Sequence, residues 1–141
     1  MDCDNAIVLV VDDDPCVVEL LSRILGYEGY QVSKAASSQQ ALRIVDDQTP
    51  DVVIVDWMMP DIDGLALCRM FRAKPQAATV PIIMISADDG VRAICREAGA
   101  DAWLTKPFDV DYLLACVHGL LARRAGPNEV TSWRPDEVGR A

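Results

Sequence analysis

The chain has 141 residues, 51% hydrophobic and 25% charged, the size and composition of one globular domain with a real core. Lys and Arg number 13 against 22 Asp and Glu, and the net charge of −9 argues against nonspecific nucleic-acid binding, which needs a basic face. No apolar run approaches the roughly 20 residues of a membrane span, and the first residues lack an export signal, so the protein is read as cytoplasmic.

In chain order, residues 7–11 form an unbroken apolar run, read as a first strand, that ends in Asp12-Asp13-Asp14-Pro15. Pro15 is preorganised for a first helical turn, and Asp14 is a good N-cap. The first helix carries Val17, Leu20, Leu21, Ile24 and Leu25 at helical spacing and ends over Gly26 to Gly29. Residues 30–35 alternate weakly as a second strand. A second helix runs from Ser38 to about Asp47 with Ala41, Leu42 and Val45 inward. Thr49-Pro50-Asp51 breaks it and leads into Val52-Val53-Ile54-Val55-Asp56. This run of β-branched residues is short and bounded by turn residues, so it is expected to be buried on both faces.

Asp61-Ile62-Asp63-Gly64 reads as a turn. The third helix follows with Leu65, Leu67, Cys68 and Phe71 and ends by Lys74-Pro75. Residues 80–85 form a fourth strand that closes on Ser86. A short fourth helix holds Val91, Ile94, Cys95 and Ala98 and stops at Gly99. Residues 101–105 form a fifth strand, ending at Lys106-Pro107. The fifth helix has the clearest stripe, Val110, Leu113, Leu114, Val117, Leu120 and Leu121, and the pattern dissolves from Arg123. Strands and helices alternate in βαβ units, whose right-handed crossovers give an α/β fold: a five-stranded parallel sheet with helices on both faces. The domain is placed at residues 6–123, between a short N-terminal extension, 1–5, and a tail or linker start, 124–141.

The five cysteines, Cys3, Cys16, Cys68, Cys95 and Cys116, form no Cys-x-x-Cys pair. Four lie in apolar helical patterns and read as small buried hydrophobes. His118, the one histidine, is expected to be exposed near a helix end.

Ligands and chemistry in an open parallel sheet sit beyond the carboxyl ends of the strands. There the chain places Asp12 and Asp13, Asp56, Ser86 and Lys106. Taken singly, each is an ordinary capping, turn or loop residue. Together at four strand ends they form a site. Clustered carboxylates repel, and a hard divalent cation such as Mg²⁺ is their natural partner. With one hydroxyl and one ammonium added, the set suits phosphoryl transfer: Asp56 as nucleophile forming an aspartyl phosphate, Ser86 and Lys106 on the phosphoryl oxygens.

The sequence resembles the receiver domains of two-component response regulators over about residues 6–123. The resemblance rests on Val11-Asp12-Asp13-Asp14-Pro15, Val55-Asp56-Trp57-Met58-Met59-Pro60 with Asp63-Gly64, Ile85-Ser86-Ala87, Ala98-Gly99-Ala100-Asp101 and Leu104-Thr105-Lys106-Pro107-Phe108. It implies a doubly wound, flavodoxin-like (βα)5 sheet in strand order 2-1-3-4-5. It implies a sensor histidine kinase or phosphotransfer protein as donor to Asp56, with Mg²⁺ held by Asp12, Asp13, Asp56 and the main-chain carbonyl of Met58. Ser86 matches the switch hydroxyl, Trp103 the aromatic switch position and Pro107 a proline usually preceded by a cis bond. Trp103 departs from the usual Tyr or Phe; its larger ring and its N–H are expected to make inward burial harder than for Phe. The stretch from Ser86 to Lys106 is slightly shorter than the family's, which trims the fourth helix or its preceding loop.

Such a protein acts on itself alone, signals to a downstream protein target, and leaves open a phosphorylation-dependent homodimer. It is expected to make no direct nucleic-acid or membrane contact. It is read either as a stand-alone regulator or as the receiver of a longer response regulator with a DNA-binding or enzymatic output domain. Two other classes fit less well. An aspartate-nucleophile phosphatase wants a second acid two residues after the nucleophile, where Met58 stands. A flavin carrier wants a phosphate-cradling loop after the first strand, where Asp12-Asp13-Asp14 would repel phosphate.

Overall fold

Five strands alternate with five helices: β1 (Ile7–Val11), α1 (Pro15–Tyr27), β2 (Gln31–Ala35), α2 (Ser38–Asp47), β3 (Val52–Asp56), α3 (Gly64–Ala73), β4 (Ile82–Ser86), α4 (Arg92–Glu97), β5 (Ala102–Thr105) and α5 (Val110–Ala125). This computed structural model describes residues 6–58, 63–87 and 92–125. The expected extension, the turn at Asp61-Ile62, Val91, Cys3 and most of the tail lie outside the described residues. The strands form one parallel sheet in the order β2-β1-β3-β4-β5, as the resemblance implied. Among the described residues no helix is long and apolar enough to cross a membrane.

Alternation along each strand divides the core in two. Leu9, Val11, Val53, Val55, Ile82 and Met84 face α2, α3 and α4, while Val8, Val10, Val52, Ile54, Ile83 and Ile85 face α1 and α5. Every residue of β3 and β4 is buried, which is why these two strands read as continuous apolar runs.

Helix starts follow local chemistry. The Asp14 carboxylate accepts from the Cys16 N–H, Ser37 Oγ from the Gln40 N–H and the Asp63 carboxylate from the Ala66 N–H. A 3-10 turn at Pro75–Ala77, absent from the sequence reading, links α3 to β4.

Four apolar residues read as inward face solvent. Leu20 is 56% exposed because the buried face of α1 runs through Val18, Leu21 and Leu25, about a quarter turn away. Ile94 points outward because α4, only six residues long, turns just one face inward, at Cys95. Val110 lies outside the core at the first residue of α5, and Cys16 is exposed beside Pro15 where α1 begins. The other described cysteines are buried, and His118 is exposed.

The amino ends of the strands are closed by one device used twice. Asp51, just before β3, accepts from the first N–H of the neighbouring β1, Ile7 N to Asp51 Oδ2 at 2.7 Å. Asp101, just before β5, does the same for the first N–H of β4, Ile82 N to Asp101 Oδ2 at 2.8 Å. The second is reinforced by Arg72 at the end of α3. Its guanidinium donates to Asp101 Oδ2 at 2.8 Å and to the carbonyls of Val80 at 2.6 Å and Gly99 at 2.7 Å, with longer bonds to Ala77 and Ala78. Gly99 has φ +101°, and a Cβ there would come within 3.0 Å of the Arg72 side chain, so glycine is needed twice over.

Candidate functional site

Strand register carries the site residues to one edge. Val11 lies opposite Val55, so Asp12 and Asp56 follow side by side. Asp56 lies opposite Ile85 and Ser86 opposite Thr105, so Ser86 and Lys106 each come one step beyond the preceding strand's end. Main-chain bonds fix the outgoing loops: Asp12 N–H to Ala35 O at 3.1 Å, Trp57 N–H to Ile85 O at 2.7 Å and Lys106 N–H to Ser86 O at 2.7 Å. The Lys106–Pro107 peptide is cis, as the resemblance implied.

One carboxylate oxygen from each of Asp12, Asp13 and Asp56 lies within 4.8 Å of the others, with Asp12 and Asp56 buried and Asp13 exposed. Lys106 reaches in between: its Nζ is 3.4 Å from Asp56 Oδ1 and 4.0 Å from Asp12 Oδ2. Both distances exceed the 2.7–2.9 Å or so of a tight charge-assisted bond, so the ammonium is shared rather than committed. The Met58 N–H approaches Asp56 Oδ1 at 3.4 Å, and the Asp14 N–H donates to Asp12 Oδ1 at 2.9 Å. Burial pushes the Asp12 carboxyl up to about 6; the Asp14 N–H and Lys106 oppose the rise, and the Asp56 and Asp13 charges add to it.

This donor set suits a hard cation. Three carboxylates gather with too little positive charge beside them, two are held in place by burial, and the third faces solvent, where Mg²⁺ could keep its waters.

Ser86 is buried at the end of β4, 5% exposed. The Met58 side chain is exposed and Trp57 is half-buried against the core beside the site. Trp103 sits inward, only 7% exposed. The reason is volume: the part of the core contributed by α4 and its turn into β5 consists of the small residues Cys95, Ala98 and Ala100.

The sequence places Gly64 in a turn and, with Asp63, in the motif that carries the resemblance. Its N–H donates to Trp57 O at 2.9 Å, and a Cβ would lie 2.7 Å from Asp56 O and 2.8 Å from Met84 Sδ. Glycine therefore lets α3 start against the backbone of the central carboxylate. The Asp63-Gly64 pair was its sequence signal, an N-cap followed by the one residue that fits.

The sequence matches the response regulator receiver domain over residues 8–118. The chain belongs to this receiver-domain family. It is 43% identical over 124 residues to the response regulator MprA of Mycobacterium sp. (strain KMS), an alignment covering 86% of this chain and 53% of that protein. The chain thus spans about half the length of the curated relatives it matches. Among solved structures it is similar to the chemotaxis response regulator CheY4 of Vibrio cholerae, with a TM-score of 0.78 and 30% identity over 82% of this chain and 98% of that one. The receiver domain of a sensor histidine kinase from Pseudomonas aeruginosa PAO1, solved with a magnesium ion coordinated in its active-site cleft, has a TM-score of 0.77 and 30% identity over 83% of this chain and 98% of its own. The fold is that of the CheY-like receivers, flavodoxin-like in strand order.

Proposed function

We propose that this receiver domain is a phosphoacceptor switch that takes a phosphoryl group on Asp56 from a sensor histidine kinase or a phosphotransfer protein. The observation that carries the reading is the convergence of Asp12, Asp13 and Asp56, with one ammonium, Lys106, within 4.0 Å of two of them. An Asp56 carboxylate oxygen forms a bond to phosphorus, the bond from phosphorus to the donor imidazole nitrogen breaks, and that nitrogen keeps the electron pair. Lys106, now shared between two carboxylates, takes one phosphoryl oxygen, and the Ser86 hydroxyl donates to another. Mg²⁺ held by Asp12, Asp13, Asp56 and the main-chain carbonyl of Met58 would neutralise charge on the phosphoryl oxygens. Asp12 and Asp56 are buried, and the exposed Asp13 leaves the cleft open to a donor.

On this reading the domain accelerates only its own phosphorylation and dephosphorylation, in the cytoplasm, and passes the signal to a protein target or to a second copy of itself. Its net charge of −9 supports a protein target over direct nucleic-acid contact. A second reading has support in relatives about twice as long: the chain serves as the receiver, residues 6–123, of a longer response regulator with a DNA-binding or enzymatic output.

The test is incubation with Mg²⁺ and a small phosphodonor such as acetyl phosphate, followed by mass spectrometry of the intact protein and its peptides. One phosphoryl group on Asp56 is expected, absent when EDTA is present from the start and in Asp56→Asn. Undiminished uptake by Asp56→Asn would contradict the assignment of the acceptor.

A further inference from the structure

Trp57 follows the acceptor and is fastened both through its ring and through its main chain. Val53, Val55 and Trp57 alternate onto the same face of the sheet, so the half-buried indole packs against the core under α2, α3 and α4. The Trp57 N–H donates to Ile85 O at 2.7 Å and continues the β3–β4 pairing one residue beyond the strand. The Trp57 carbonyl accepts from the Gly64 N–H at 2.9 Å, and a Cβ on Gly64 would lie 3.0 Å from the Trp57 Cα. The loop that leaves β3 therefore returns onto Trp57 where α3 begins. Met58 comes next. Its side chain is 67% exposed, and its N–H reaches Asp56 Oδ1 at a long 3.4 Å. Neither is a tight hold, and the firm anchor beside the Met58 peptide is Trp57.

Resting on the phosphoacceptor reading above, in which the Met58 main-chain carbonyl is a ligand of Mg²⁺, we propose that Trp57 is a positioning residue for the metal. Its ring, lodged against the core, fixes the backbone from which the Met58 carbonyl projects, and so sets how tightly the site takes Mg²⁺. Mg²⁺ tolerates little departure from octahedral geometry, so a carbonyl that shifts costs affinity. Residues that orient a ligand without touching the metal change its affinity by about tenfold or more when removed. A small residue at position 57 leaves both main-chain bonds available but takes away the packing that holds them in one arrangement.

The experiment is urea unfolding of the full chain across a Mg²⁺ titration, in which the shift of the midpoint gives the Mg²⁺ dissociation constant. Trp57→Ala should weaken Mg²⁺ binding about tenfold. Trp57→Phe, which keeps a flat ring against the core, should bind Mg²⁺ nearly as tightly as wild type. Leu42→Ala removes a partly buried apolar side chain from the same core face. It should lower the midpoint at every Mg²⁺ concentration and leave the dissociation constant unchanged. Trp57→Leu carries the same test where Trp57→Ala is too unstable to fold. With acetyl phosphate as donor, the Mg²⁺ concentration giving half-maximal phosphorylation should rise in Trp57→Ala, and the rate at saturating Mg²⁺ should recover. Wild-type Mg²⁺ affinity in folded Trp57→Ala or Trp57→Leu, or an equal loss in Leu42→Ala, overturns the proposal. A wild type that responds to Mg²⁺ but takes up no phosphoryl group contradicts the acceptor assignment instead and leaves the metal comparison standing.

Discussion

The two ends of the sheet hold their carboxylates under opposite terms. At the amino end, Asp51 and Asp101 each accept from the first N–H of a neighbouring strand, and Asp101 also holds Arg72 at 2.8 Å. At the carboxyl end, Asp12 and Asp56 are buried beside Asp13 and share one ammonium at 3.4 and 4.0 Å. The first end is saturated with short bonds and closes the fold. The second leaves negative charge undercompensated, with two of its three carboxylates buried. Such a cluster destabilises the fold when nothing neutralises it, and on the proposed function that unmet demand is what a cation and a phosphoryl group would satisfy. Stability and function are thus separated along the strand axis.

Removing the clamp should break the comparison most. Arg72→Ala leaves Asp101 without its cation and strips donors from the carbonyls of Val80 and Gly99. The pair is partly exposed, with side-chain exposures of 22% and 36%, which lowers its worth below that of a fully buried one. A loss of about 2–4 kcal/mol is expected by urea unfolding. The folded fraction should still take phosphate on Asp56, because the clamp lies at the opposite end of the sheet.

The working end should respond in the opposite direction. In metal-free protein at neutral pH, Asp12→Asn is expected to stabilise the fold by about 1–2 kcal/mol. The amide keeps an acceptor for the Asp14 N–H and removes one buried charge from beside Asp56. The sign follows from the raised pKa of about 6: the carboxyl favours the fold while protonated and works against it once ionised, so the gain fades in acid. Destabilisation by Asp12→Asn at neutral pH would show that the cluster is already compensated.

Thiol reactivity sharpens the picture with no change in stability. Burial raises Cys68 and Cys95 to about 11 and Cys116 to about 12, and the thiolate is the reactive form. In mildly alkaline solution Cys16 should alkylate readily and these three should not. Cys68, whose Sγ donates to Ala98 O at 3.3 Å, should become reactive in Arg72→Ala if the clamp holds α3 against the turn after α4.

The strands of this fold were legible because a sheet covered on both faces writes itself as short apolar runs, and the site was legible because those runs stop at Asp12, Asp56, Ser86 and Lys106. The clamp was not. Asp51 and Asp101 look like ordinary turn residues, and only strand register reveals that each serves the neighbouring strand. Arg72 reads as a helix-end charge until its acceptors are placed around it. Leu20 and Ile94 were misread because apolar spacing alone does not say which of two adjacent faces is covered, and each lies next to a buried neighbour, Leu21 and Cys95. How deeply Trp103 sits was not legible from its own size, because that depends on the small residues Cys95, Ala98 and Ala100 packed in the same core.

The claim that the carboxyl end is held short of positive charge is tested most directly by urea unfolding of the wild-type protein across a Mg²⁺ titration, with Asp13→Asn and Arg72→Ala alongside. A ligand that binds only the folded state stabilises it by about 2.7 kcal/mol at a hundredfold excess over its Kd. Wild type and Arg72→Ala should both gain stability along that curve, and Asp13→Asn should gain far less. A wild-type unfolding midpoint that does not move with Mg²⁺ would contradict the account.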